Sequence, residues 1–179
     1  MNHTHLKYLF FVTKPYSFSI LEPIQDSISE TKSGAVKWFS ASSAANFSCP
    51  GDQLTSNKEV INYNPDAVLV PGNVVPHFWP GLKVQVFHGL DEEVKGCYNI
   101  TGFFDLYCTT GPVMTEKFLA IAMKKRHFLV KETGWPKLDP VFKKAWDFGN
   151  QKNQLIKQYN LNPELAVILY APTFPPKYT

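Results

Sequence analysis

The side chains of this 179-residue chain that are capable of chemistry at neutral pH are few, and His88 stands apart from the rest. It directly follows the apolar run Val84-Gln85-Val86-Phe87 and precedes Gly89. An imidazole in that place can accept a proton from an attacking hydroxyl. The glycine beside it lets a substrate or a backbone approach closely. A ring that merely caps the strand end by hydrogen bonding is the plainer reading, and both stay open. The other histidines carry less. His3 and His5 lie near the terminus, His77 sits in a loop between Val75-Pro76 and Phe78-Trp79, and His127 begins a strand facing solvent. No pair has a metal-ligand spacing, so no structural zinc is expected. Asp91-Glu92-Glu93 can orient the imidazole or hold a divalent ion, or simply form a solvated acidic loop. Cys49, Cys97 and Cys108 are odd in number and show no CxxC spacing. They read as free thiols of a reducing compartment and as small apolar filler, with a nucleophile at Cys97 or Cys108 as the alternative.

Glycine-bearing turns recur after apolar runs: Pro71-Gly72-Asn73, His88-Gly89, Thr109-Thr110-Gly111-Pro112 and Thr133-Gly134-Trp135-Pro136. They share one rim only if the runs before them are parallel strands, whose carboxyl ends bind ligands in open α/β sheets. Gly72-Asn73 and Thr110-Gly111 can offer backbone N–H groups to a phosphate. Apolar runs alternate with helix-like stretches, which predicts an α/β fold with a doubly wound, mostly parallel, Rossmann-like sheet. Strands are expected at Tyr8–Thr13, Ala35–Ser40, Ala67–Val70, Leu82–Phe87, Phe104–Cys108, Phe128–Lys131 and Leu165–Tyr170. Helices are expected over Ser17–Thr31, starting or bending near Pro23, and over Asn57–Tyr63, Pro112–Lys125, Asp139–Asn150 and Lys152–Tyr159. Residues 41 to 58 read as a loop.

Charged residues at 18% and hydrophobic ones at 44% describe a globular chain, not a disordered one. The net charge of +3 suits an anionic substrate or phospholipid surface and is too weak to point to nucleic acid. Leu9–Val12 is too short for a signal core or membrane span, which predicts a cytoplasmic protein. Lys124-Lys125-Arg126 complements a helix end and can also meet an anionic membrane.

Three segments resemble a known family. Val84–Gly89 looks like a strand ending in Trp-His-Gly. Gly134-Trp135-Pro136-Lys137-Leu138-Asp139 looks like Gly-Tyr-Pro-Arg-Asn-Asp, and Ile168–Phe174 looks like Leu-Tyr-Ala-Pro-Thr-Trp. Phe104-Asp105-Leu106-Tyr107 and Thr110-Gly111 fit in order between the first two. On these residues the chain resembles the CDP-glycerol:poly(glycerophosphate) glycerophosphotransferase family of bacterial teichoic-acid and capsule synthesis, over roughly residues 66 to 174. It departs from the family at Phe87 for Trp, Leu90-Asp91 for Thr-Pro, Lys137-Leu138 for Arg-Asn and Pro175 for Arg.

The resemblance implies a two-domain, glycosyltransferase-B-like architecture. Residues 1–163 would be the acceptor-side Rossmann-like domain. Residues 164–179 would open a nucleotide-binding domain whose remainder lies beyond the chain, so that the chain alone is inactive. The implied reaction moves glycerol phosphate from CDP-glycerol to a hydroxyl of a lipid-linked acceptor at the inner membrane surface, with release of CMP. His88 would act as general base. Gly72, Asn73, Gly89, Thr110, Gly111, Gly134, Pro136 and Thr173 are expected to contact substrate. No cofactor is expected beyond a Mg2+ ion accompanying the donor. A nucleotide-sugar glycosyltransferase or epimerase of the same architecture, and a non-catalytic binding domain, are the alternatives.

Overall fold

The computed structural model describes residues 5–41, 49–89, 98–143, 148–166, 168 and 170. Contacts divide the chain into Met1–Pro140 and Val141–Thr179. The first unit holds a parallel sheet of β1 (Leu6–Val12), β2 (Gly34–Ser40), β3 (Gln53–Leu54), β4 (Ala67–Val70), β5 (Leu82–Val86), β6 (Leu106–Thr109) and β7 (Leu129–Glu132). Their order is β3-β2-β1-β4-β5-β6-β7, and every adjacent pair is parallel. This is a Rossmann-like α/β arrangement. The chain builds outward from β1 in one direction through β2 and β3, then returns to β1's other side and builds away through β4 to β7.

β1 is central because its side chains are apolar on both faces, as a parallel strand covered from both sides requires. Leu9 and Phe11 point into one core with Val68, Val70, Tyr107, Met114 and Phe118. Phe10 and Val12 point into the other with Trp38, Leu69, Val84 and Val86. Helix α1 (Phe18–Thr31) covers the second face through Phe18, Ile20, Leu21 and Ile28. Helices α2 (Asn57–Tyr63) and α3 (Pro112–Lys125) cover the first through Val60, Met114 and Phe118.

α1 runs unbroken from Phe18, so the expected start near Pro23 is corrected. Proline's fixed φ is already helical, and its lost N–H forfeits one hydrogen bond. Burial of Ile20, Leu21, Pro23 and Ile28 along the same face offsets that loss. β3 replaces part of the expected loop over 41–58 and pairs with Trp38 and Phe39. Two residues are too few to show any periodicity in the sequence.

The connection from β4 to β5 is not a helix. Pro71–Gly81 crosses the first face as an irregular strap, with Val75 and Trp79 buried in the core. Trp79 packs edge-on against Phe11 and Phe39, each at 5.0 Å between ring centres. Such a strap has no internal ladder for its backbone, and buried backbone groups need partners. β5 supplies them from side chains facing the strap. Lys83 Nζ donates to Trp79 O at 2.5 Å and to Gly81 O at 2.6 Å. Gln85 Nε2 donates to Gly72 O at 3.2 Å and to Asn73 Oδ1.

The second unit contains α5 (Phe148–Gln158), which continues without a break through Asn150–Lys152, where the sequence suggests a junction between two helices. A short turn of helix, α4 (Asp139–Phe142), precedes it. The strand expected at Leu165–Tyr170 does not appear at Leu165, Ala166, Ile168 or Tyr170. Its other two positions lie outside the described residues. Among the described residues no helix is long and apolar enough to cross a membrane.

Candidate functional site at the carboxyl rim

β1 and β4 are neighbours whose onward connections leave in opposite directions, so the switch point of this sheet lies between their carboxyl ends. The loops after them touch: a Cβ added to Gly72 would stand 3.4 Å from Thr13 Oγ1. His88 follows β5, the next strand along, and its half-buried ring leans into this junction. Its Nδ1 lies 3.0 Å from Pro71 O. Tyr16, from the loop after β1, sets its ring 5.3 Å from the imidazole at 31°. The tyrosine is 45% exposed, so the pair stands at the surface of the junction and not sealed beneath it.

The Pro71 carbonyl can only accept a hydrogen bond, so Nδ1 carries the proton in this contact. In the neutral ring the lone pair is then on Nε2, the nitrogen left for an incoming group. The loop after β1 reads Thr13-Lys14-Pro15-Tyr16 and lacks the glycines that let a pyrophosphate sit on a dinucleotide-binding turn. Lys14 on this loop and Lys137 on the loop after β7 are both exposed on the rim.

The expected site residues that lie among the described ones fall into three groups. Gly72, Asn73, His88 and Gly89 come together at the switch point. Gly134 and Pro136 reach it indirectly: Trp135 Nε1 donates to Phe87 O at 3.1 Å, carrying the loop after β7 across the end of β6 to the residue before His88. The turn at Pro136–Leu138 then contacts α1. Gly134 has φ +79°, a left-handed conformation that favours glycine, and its N–H donates to Thr109 O at 3.2 Å. Thr110 and Gly111 stand on the same rim, but their polar groups serve α3. Thr110 Oγ1 contacts Met114 Sδ at 3.4 Å, and Gly111 O accepts from Thr115 N at 2.9 Å. Thr173 lies outside the described residues, as do Asp91-Glu92-Glu93, His3 and Cys97.

Burial raises the Cys108 thiol above its usual range, against the opposing effect of a hydrogen bond with Thr133. A thiol so shifted is a poor nucleophile near neutral pH, which fits a packing role. Cys49 is half-buried beside Ser40 Oγ at 3.3 Å. His5, His77 and His127 are exposed. Among the described residues no group of three or more His, Cys, Asp or Glu side chains is placed to hold a metal ion.

Gln85, Tyr16 and the Pro71 carbonyl belong to this candidate site; sequence reasoning named Pro71 only as the start of a glycine-bearing turn and did not single out the other two. Gln85 carries a usable signal. It is an amide within the apolar run Val84–Phe87, and a strand buried on both faces must give that amide a partner. Tyr16 carries none, because 72 positions separate it from His88 and only the strand order joins them.

No protein-family model matches the chain, and neither a curated protein nor a solved structure matches it.

Proposed function

We propose that this chain is the acceptor-side part of a glycerophosphotransferase, with His88 as general base. The observation that carries the reading is the His88–Pro71 contact at the switch point, which supports a proton held on Nδ1 and, in the neutral ring, a lone pair on Nε2. In the proposed reaction an acceptor hydroxyl gives its proton to Nε2 while its oxygen attacks the glycerol-bearing phosphorus of CDP-glycerol. The phosphorus–oxygen bond to CMP breaks, CMP leaves with the electron pair, and the imidazolium returns its proton to solvent. Exposed Lys14 and Lys137 favour a substrate carrying phosphate. The family resemblance assigns the donor's nucleotide to a second domain following Thr173, facing this rim across a cleft. Opposite walls suit phosphoryl transfer, where the attacking oxygen and leaving group must lie in line.

The test is CMP release from CDP-glycerol by the full coding sequence expressed whole, with a glycerol-phosphate-primed lipid acceptor. His88→Ala should lower the rate by about 10²- to 10⁴-fold, the usual weight of a general base. Unchanged turnover would remove His88 from the reaction. Preference for UDP-linked sugars in a donor panel would instead favour a glycosyltransferase.

A further inference from the structure

We infer that Gln85 is a positioning residue that fixes which nitrogen of His88 carries the proton, acting through the turn after β4. Gln85 is 2% exposed in the middle of β5. An amide in that place is costly unless its groups are bonded. Both partners of its Nε2, Gly72 O and Asn73 Oδ1, are acceptors, so both amide hydrogens are committed to consecutive residues of one turn. That turn begins with Pro71, whose carbonyl accepts from His88 Nδ1.

The linkage therefore runs from Gln85 to Gly72 and Asn73, back one residue to Pro71, and on to the imidazole. Gly72 lacks a side chain and is free to rotate, so the direction of the Pro71 carbonyl depends on what holds the residues after it. Gln85 is that hold. Tyr16 packs its ring against the imidazole at 5.3 Å between ring centres. With Gln85 removed, the Pro71 carbonyl loses its fixed aim. The ring then relaxes toward the Nε2–H tautomer that histidine ordinarily favours in water, and the lone pair turns toward Nδ1.

The tautomer is a property of the imidazole itself and needs no substrate. Its bearing on proton transfer rests on the transferase reading, but the two fail separately: the tautomer is measured without donor or acceptor. The measurement is a long-range proton–nitrogen correlation spectrum of the ¹⁵N-labelled chain at about pH 8.5, where histidine is neutral. Wild type should show His88 as Nδ1–H. Gln85→Leu should lower the Nδ1–H to Nε2–H ratio about fivefold, the weight of one ordinary hydrogen bond. Asn73→Ala removes one of the two amide contacts at a half-buried turn and should shift the ratio the same way by about twofold, part of one bond. Gln25→Ala breaks the 2.6 Å bond to Trp38 Nε1 on the other face of the sheet and should leave the ratio unchanged. An unchanged ratio in folded Gln85→Leu overturns the inference, as does an equal shift in Gln25→Ala. If Gln85→Leu does not fold, Asn73→Ala decides in its place, and an unchanged ratio there is equally decisive.

Discussion

Replacing Lys83 by methionine tests whether a strand side chain substitutes for the helix missing between β4 and β5. Lys83 is 8% exposed, and its ammonium donates to the carbonyls of Trp79 and Gly81. Methionine fills nearly the same volume and donates nothing, so both carbonyls lose their partner. Hydrogen bonds from a charged group contribute about 1.5–3 kcal/mol each. Part of that is returned, because the variant no longer holds a cation out of water. Burial already pulls the Lys83 pKa below the ordinary lysine range, with the Asp105 carboxylate opposing it. A net loss of about 2 kcal/mol is expected, or roughly 4–8 °C in midpoint for a chain of this size. Thermal unfolding followed by circular dichroism measures it. The pH dependence gives a second reading. Just below the unfolded lysine value of about 10.4, the unfolded chain binds the proton that the folded chain has released, so wild-type stability rises with pH there. Lys83→Met should lack that rise. A variant as stable as wild type, with the same pH slope, would refute the role given to Lys83.

Two further outcomes follow from the same core. Gly81 sits at φ +83°, where an added Cβ would run into the Pro65 carbonyl oxygen; Gly81→Ala should cost about 2–4 kcal/mol, read as a lower urea midpoint. Burial pushes the Tyr107 phenol up to about 12, so the folded chain keeps a proton that the unfolded chain loses near 10. Stability should therefore fall as pH climbs from about 10 toward 12, and Tyr107→Phe should remove that part of the decline in a pH series of urea melts.

Much of the sheet was legible because buried parallel strands are short continuous apolar runs, and Ala67–Val70 is bounded as the sequence suggests. The bounds of α2 and α3 also match the sequence reading, α3 being marked by the proline at its first position. The carboxyl-end turns could be read as a group, since glycine and threonine follow several of these runs. Which turns meet could not. Strand order places β4 between β1 and β5, and nothing in the local sequence states it. So His88 was visible as a candidate, while its contacts with Tyr16 and Pro71 were not. The strap was equally hidden. Its clearest trace is a lysine and a glutamine at alternate positions of an apolar strand, a pattern that periodicity alone assigns to an exposed face. Here both side chains are buried and satisfied by the strap.

β5 fastens the crossing at its lower end through residue 83 and at its upper end through residue 85, then delivers the imidazole itself at residue 88. The ring and the carbonyl that orients it thus share a single frame of reference. Tyr16, two residues ahead of α1, and Asn57 of α2, which accepts from Trp79 Nε1 at 3.0 Å, couple that frame to the helices on both faces. Under the proposed function, proton placement follows β5 and the crossing it fastens.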